Sequence, residues 1–175
     1  MRIISGRWRG RRLRALRAKG VRPTTDRVRE AWMAALGPLL EGARVLDLYA
    51  GTGALGLEAL SRGAGSVVFV ERSKRALGTL RDNVDLLDAR DECRIVSGDA
   101  MAFVRRLERG EFDIALADPP YELGLAGRLL VIFSEKGFAR ELWVEHRSAE
   151  AMPPNLALRQ RRYGDTTLTT LKWEE

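Results

Sequence analysis

The chain has one cysteine in 175 residues, Cys93, so no disulfide can form within it. That usage suits a reducing compartment and sets the expectation of a cytoplasmic protein. Histidine is as scarce: His146 stands alone, and a lone histidine is more often structural than catalytic. Cysteine and histidine this sparse leave no metal-ligand cluster, so no metal is expected. No apolar run approaches the ~20 residues of a membrane helix. The N-terminus is basic, but no apolar stretch follows it as in a secretory signal. Repeats, linkers and low-complexity segments are absent too. What remains is an ordinary globular composition, 45% hydrophobic and 31% charged, long enough for one domain with a full core.

The charge is present but unevenly spread. Residues 1–29 carry eleven basic side chains and one acidic one, Asp26, which makes that segment +10. The whole chain is +6, so the other 146 residues sum to −4. Arginine outnumbers lysine 26 to 4. A biased genome explains arginine over lysine, but not +10 beside −4. A local basic patch is the electrostatic footprint of a polyanion. Arg7, Trp8, Arg9, Arg11 and Arg12 are the candidate nucleic-acid contacts, with Trp8 able either to stack on a base or to cover a hairpin.

Along the chain, "MRIISGRWRGRRLRAL" reads as a small basic hairpin turning at Gly6 and Gly10. Thr25 or Asp26 can cap a helix carrying Val28, Trp32, Ala35 and Leu36 at helical spacing, and Gly37-Pro38 ends it. From Ala43 short apolar runs alternate with helix-like segments. The runs are Val45–Tyr49, Val67–Val70, Ile95–Val96 and Ile114–Ala117. The segments are Ala54–Arg62, Ser73–Leu87 and Ala100–Arg109. This alternation predicts an α/β fold with a parallel sheet covered on both faces. A helix near Leu125–Ser134, a strand near Leu142–His146 and a hairpin joined at Gly164-Asp165 complete it. The organisation expected is a basic N-terminal extension over residues 1–37 and a catalytic domain over 38–175.

The first strand opens on "VLDLYAGTGALGLEAL", with Gly51, Gly53 and Gly56 in G-x-G-x-x-G register between strand and helix. Glycines there allow a tight turn and close approach of a ligand to the backbone. Open α/β sheets bind ligands beyond the carboxyl ends of their strands. Asp47, Glu71 and Asp99 end the first three strands and would face the ligand. Glu71 can accept hydrogen bonds from both ribose hydroxyls of an adenosine-type cofactor. Three carboxylates disfavour a pyrophosphate and suit a sulfonium and an ammonium, which points to S-adenosylmethionine. No Arg or Lys lies in the Gly51–Gly56 turn to hold phosphates. A nicotinamide cofactor remains the alternative.

The fourth strand ends in Asp118-Pro119-Pro120-Tyr121. Two prolines cannot continue a central strand, because neither offers an N–H to the ladder. A rigid turn therefore places a carboxylate and a ring at the same sheet edge as the glycine turn. An exocyclic amine on a nucleobase is a poor nucleophile, its lone pair delocalised into the ring. Two acceptors aimed at its N–H bonds, the Asp118 carboxylate and the Pro119 carbonyl, can localise that pair. Tyr121 supplies a face for the base, worth ~1–3 kcal/mol by stacking. The base must leave its stack to reach such a pocket. An Asp has a pKa near ~4, so Asp118 is read as aligning the amine, with the proton leaving late. The same four residues fit adenine N6 or cytosine N4 in DNA. A non-catalytic RNA-binding assembly factor also remains open.

The glycine turn with Asp118-Pro119-Pro120-Tyr121 resembles the amino-methyltransferases that modify nucleobases. Together "MRIISGRWRGRRL", "RPTTDRVREAW", "LDLYAGTGALGLEALSRGA", "FDIALADPPY" and "RRYGDTTLT" run in the order and spacing of the RsmD family, which they resemble. These are bacterial 16S rRNA (guanine(966)-N2)-methyltransferases. The resemblance covers nearly the whole chain, with Tyr49 where Phe is expected and a short C-terminus. It implies a Rossmann-like class I sheet of seven strands, the last antiparallel. It implies S-adenosylmethionine lying across Asp47, Gly51, Gly53, Glu71 and Asp99, with Tyr49, Arg72, Ala100 and Asp118 lining the same site. Asp118, Pro119, Pro120 and Tyr121 would be catalytic. Arg22, Pro23, Thr24 and Thr25 would border the active site on the RNA side. The implied partner is 16S rRNA within the assembling small subunit, met by a monomer, with no membrane involved.

Overall fold

The computed structural model describes residues 1–16, 26–121 and 123–174. Its centre is one seven-stranded sheet. The strands are β1 (Arg44–Leu48), β2 (Ser66–Glu71), β3 (Cys93–Ser97), β4 (Phe112–Ala117), β5 (Ala139–Arg147), β6 (Arg159–Tyr163) and β7 (Thr166–Lys172). Their spatial order is β3-β2-β1-β4-β5-β7-β6. Neighbours from β3 to β5 run parallel, and β7 is antiparallel to both β5 and β6. The seven-stranded sheet with an antiparallel β7 is the one that the family resemblance implies.

The helices are α1 (Asp26–Leu36), α2 (Ala54–Ser61), α3 (Lys74–Leu86), α4 (Ala100–Arg106) and α5 (Leu125–Lys136). Alternation along β1 explains the two layers. Val45 joins Trp32, Leu57, Phe69 and Leu80 in one core; Leu46 and Leu48 join Val104, Leu129 and Phe133 in the other. Helices α1, α2 and α3 thus cover one face, and α4 and α5 the opposite one. A parallel strand buried on both sides reads as a continuous apolar run, the signal that "VLDL" carries. Local sequence sets the helix ends. The Ser73 side chain caps α3 by accepting from Ala76 N–H at 3.3 Å. Helix α5 stops at Gly137, at φ 58°, a left-handed conformation that glycine adopts without steric penalty.

Several expectations shift in detail. Strand β3 begins at Cys93, two residues before the apolar run Ile95–Val96; the cysteine is half-buried against the core, and burial pushes its thiol up to about 12. Asp99 does not end β3, which stops at Ser97; it caps α4, accepting from Ala102 N–H at 2.8 Å. Thr25, a candidate cap of α1, lies outside the described residues, as do Arg22, Pro23 and Thr24.

Residues 1–13 form the hairpin read from the sequence. Ile3 N–H donates to Arg11 O at 2.9 Å, Leu13 N–H donates to Met1 O at 3.0 Å, and Arg2 bridges Arg12 antiparallel. Its apolar side is continuous with the domain: Ile3 and Leu13 are buried in the same core as Trp32 and Leu57. Gly6, at φ 83°, lies so close to Ser61 that a Cβ would fall inside the Ser61 carbonyl. Glu58, on the first crossover helix, reads from the sequence as a solvated or salt-bridged residue. It is fully buried, and its carboxylate accepts from Ile4 N–H (2.8 Å), Ser5 N–H (3.0 Å) and Arg62 Nε (2.9 Å). It pairs with Arg62, so only the solvated half of that expectation fails. The acid on α2 is the tether of the hairpin.

Replacing Glu58 with Ala strands two backbone N–H groups and a guanidinium, each worth ~1–3 kcal/mol when buried without a partner. Chemical denaturation of Glu58→Ala is expected to give a loss of about 3 kcal/mol, with Glu58→Gln losing less. A variant as stable as the parent would remove Glu58 from the role of tether.

Candidate active site

The strand register builds the site. Leu48 pairs with Val70 on one side and Ala117 on the other, and Ala117 pairs with Val144. One residue further along each strand stand Glu71, Tyr49, Asp118 and Glu145. Four chemically capable side chains therefore share one row at the carboxyl edge of the sheet, where open α/β sheets hold ligands.

Beneath that row, Asp47 is buried and accepts from Gly56 N–H at 2.9 Å. Burial pushes its carboxyl up to about 8, and the nearby Asp118 and Glu71 charges push the same way against the Gly56 bond. Burial thus favours the neutral form of Asp47, which buttresses the turn. It stands 1% exposed beneath the acids expected to face a ligand.

The glycines divide their tasks. A Cβ on Gly56 would collide with Phe69 and Val67, so Gly56 is there for helix–strand packing. Gly53 begins α2 at φ 85°, where a Cβ would strike Leu80. Gly51, at φ 57°, is different: a Cβ there meets nothing within 4 Å. Its backbone is the one open to a ligand. Gly51 N–H donates to Glu71 Oε2 at 2.8 Å, while Arg72 and Ser73 N–H donate to Oε1 at 2.9 and 2.8 Å. A carboxylate has about four acceptor positions. Glu71 thus has room for one ribose hydroxyl, not the two anticipated.

Tyr49 takes a left-handed backbone, φ 58°, uncommon for a bulky residue and a mark of strain at functional turns. Its hydroxyl is buried, and burial drives it up to about 12; Asp99, Arg128 and Arg72 are close enough to act on it. Arg72 is exposed and Ala100 is buried at the start of α4, beside the Asp99 cap. Asp99, Tyr49 and Arg72 thus stand near one another at this edge of the sheet.

Asp118 is half-buried, Pro119 buried and Pro120 exposed after β4. Tyr121 OH donates to Glu145 Oε1 at 3.0 Å and lies 3.5 Å from Thr166 Oγ1. Burial pushes the phenol up to about 12. The Arg147 guanidinium lies 5.3 Å from the centre of the ring, so Tyr121 is already a cation–π platform. Glu145 and Arg147 were not singled out from the sequence; the alternation placing both on the Tyr121 side of β5 was the available signal. His146, between them, faces the other way. Its Nδ1–H donates to Arg147 O at 2.8 Å and Nε2 accepts from Thr169 Oγ1 at 2.6 Å, a structural role.

On the hairpin, Arg7 pairs with Glu92 at 2.6 Å and lies 4.0 Å over Trp8, Arg11 donates to Leu86 O, and Arg14 pairs with Asp82. Trp8 packs on the core, so it covers the hairpin. Arg9 and Arg12 are exposed. Arg29, counted in the basic segment, is buried and donates to Arg2 O at 2.6 Å. A residue missed altogether is Asn83, buried on α3. Its amide donates to Arg14 O and Thr52 O, both at 3.0 Å, and accepts from Arg14 N–H at 2.7 Å. It joins the hairpin to the glycine turn. A cleft of about 530 Å³ bounded by Ser148, Met152, Gln160 and Arg162 touches neither turn.

The sequence model of the Conserved hypothetical protein 95 family matches residues 1–172. The chain belongs to that family. Among its relatives, the ribosomal RNA small subunit methyltransferase D of Escherichia coli is 36% identical over 156 residues, covering 87% of this chain and 78% of that one. A hypothetical protein of Thermus thermophilus superposes with a TM-score of 0.81 at 30% identity, over 98% of this chain and 99% of that one. An RNA methyltransferase of Salinibacter ruber, solved with S-adenosyl-L-homocysteine, superposes at 0.67 with 16% identity, over 88% and 95%, and speaks for the fold alone. The family match runs through both the hairpin and the β6–β7 ladder, so these belong to the shared fold.

The buried Asp47 carries a pH signature. Its carboxyl is raised in the folded state from 3.8 to about 8. The neutral form is what folding favours, so this contribution is full below about pH 4 and is lost as pH rises through 8. Thermal unfolding midpoints are expected to fall between pH 5 and 8 by several degrees more in the parent than in Asp47→Asn. Parallel pH profiles would show that Asp47 is not buried neutral.

Proposed function

We propose that this chain methylates the exocyclic N2 of a guanine in 16S rRNA, at the position equivalent to guanine 966, during small-subunit assembly. The observation that carries it is the placing of Asp118-Pro119-Pro120-Tyr121 directly beside the glycine turn, through the Leu48–Ala117 register. At the coarser level the chain is an S-adenosylmethionine-dependent rRNA methyltransferase, supported by its family and by the ribosomal RNA methyltransferase it resembles over most of its length. The guanine and its position rest on the resemblance of the motifs.

The residues fit S-adenosylmethionine by chemistry. The open Gly51 backbone admits a ligand, Glu71 retains one acceptor position for a ribose hydroxyl, and Asp99 has a carboxylate oxygen beyond the one capping α4. Tyr49, Arg72 and Ala100 line that region, and Asp47 holds the turn from below. Bound there, the cofactor supplies an electrophilic methyl on a sulfonium. Asp118 and the Pro119 carbonyl accept from the N–H bonds of the amine and point its lone pair at the methyl carbon. The donor would give up that methyl to the amine nitrogen, with the S–C electron pair staying on sulfur. The displaced proton leaves the amine last. Tyr121, held by Glu145, is the platform for the flipped base. Alignment for in-line transfer supplies much of the rate.

Residues 1–37 are assigned as the RNA-contacting part, with Arg9 and Arg12 as the outward phosphate contacts. Arg7 and Arg11 also bind the body of the protein. Arg22, Thr24 and Thr25 are assigned to the same side by motif alone. The protein is taken to act as a monomer in the cytoplasm. Among the described residues no helix is long and apolar enough to cross a membrane.

The test is methyl transfer from labelled S-adenosylmethionine to unmodified small-subunit particles, naked rRNA and duplex DNA, with the product nucleoside identified by mass spectrometry. N2-methylguanosine in rRNA is expected; methyladenine or methylcytosine in DNA would overturn the substrate, and no transfer would overturn the enzyme. Asp118→Ala is expected to lower kcat at least ~10²-fold, the loss typical of a misaligned reacting group, with cofactor affinity within a few-fold of the parent by calorimetry. Near-parental turnover would remove Asp118 from the mechanism. Arg9→Ala with Arg12→Ala should weaken rRNA binding and flatten its salt dependence; unchanged binding would leave the hairpin as mere surface.

A further inference from the structure

The net charge of −4 outside the first 29 residues conceals a second basic surface. The segment 151–164 contains no Asp or Glu and carries Arg159, Arg161 and Arg162. It includes β6, the outer strand of the sheet, with residues 159–162 all exposed. Residues paired across an antiparallel ladder share a face, and faces alternate along each strand. Tyr163 pairs with Thr166, Arg161 with Leu168 and Arg159 with Thr170. Thr166 is the residue beside the Tyr121 hydroxyl, and Leu168 belongs to the core under the hairpin and α1. Arg159 and Arg161 therefore stand on the Tyr121 face of the sheet. Arg162 stands on the opposite face, where its Nε donates to Gly164 O at 2.8 Å.

The register carries the placement further. Glu145 pairs with Leu168 and Leu168 with Arg161, so Arg161 lies in the same row as Asp118. Three strand spacings, roughly 14 Å, separate β4 from β6. Arg147 stands between them, its guanidinium over Tyr121. Arg159 and Arg161 are two residues apart, about 6.8 Å along the strand, comparable to successive phosphates of an extended nucleic-acid strand. The hairpin is anchored on α2 and α3, which lie on the β1–β3 side of the site. The Asp118–Tyr121 turn thus sits between two basic surfaces drawn from opposite ends of the chain.

We propose that Arg159 and Arg161 of β6 are a second RNA-backbone contact surface, binding phosphates of the strand that flanks the target base. This rests on the rRNA-methylation reading and deepens it. Phosphate contacts position a substrate without reading its sequence. Two surfaces flanking the pocket hold both sides of an unstacked nucleotide, whereas one would leave it free to pivot.

The experiment compares the parent, Arg159→Ala with Arg161→Ala, the corresponding Lys pair, and Arg162→Ala as the opposite-face control. Each full chain is titrated with naked unmodified 16S rRNA and with unmodified small-subunit particles across a salt series, and kcat and KM are measured with both. For the Ala pair the slope of log affinity against log salt is expected to fall by roughly 1.4, two phosphates at ~0.7 each. KM for rRNA should rise roughly tenfold with kcat and cofactor affinity unchanged. The Lys pair should retain most of the slope, because a phosphate accepts either cation. Arg162→Ala should match the parent. The proposal is overturned if the Ala pair binds like the parent, or if Arg162→Ala loses as much. It is equally overturned if the loss appears only on assembled particles with naked-RNA binding intact, which would mean a protein contact along the β6 edge. A parent chain that binds neither naked rRNA nor unmodified particles would instead sink the methylation reading, and that is seen before any variant is made.

Discussion

The hydrogen bond from Gly56 N–H to the buried Asp47 carboxyl is the constraint on which the site depends. It ties the first turn of α2 to the end of β1 across nine residues, so the chain between them must make a tight loop. That loop closes only because Gly51 and Gly53 accept left-handed backbones and Tyr49 is forced into one. The Gly51 N–H is then delivered to Glu71, which also gathers the N–H groups of Arg72 and Ser73. One buried acid and one half-buried acid thus shape the backbone around the open flank of Gly51. Burial separates them: desolvation raises Asp47 strongly, while three N–H donors serve the carboxylate of Glu71.

The same use of buried polar groups fastens the hairpin. Glu58, Ser61 and Asn83 are buried polar residues, and each is engaged with hairpin backbone. Buried polar groups with full sets of partners fix one arrangement, because any other leaves them unsatisfied. Asn83 also holds Thr52 O of the glycine turn. The hairpin is therefore built into the methyltransferase core, although its sequence reads as an appendage.

Basic charge behaves differently in sequence and in space. The first 29 residues announce themselves, yet Arg29 is buried and Arg7, Arg11 and Arg14 are partly engaged by the protein's own surface. Arg159 and Arg161 are invisible in a net charge because acids elsewhere in the chain cancel them. The ladder separates them from those acids and from Arg162.

Sequence alone determined the alternation of strands and helices, the glycine turn and the Pro-terminated β4. These are local signals: apolar period, backbone conformations open only to glycine, and a missing proline N–H. Only the tertiary structure decided what each acid does, since Asp47, Glu58, Glu71 and Glu145 look alike in sequence and differ by burial and by the donors facing them. It alone decided which face each arginine of β6 takes and that the two ends of the chain flank one turn. Those facts depend on strand register between residues far apart in the chain, and no short stretch of sequence encodes such a pairing.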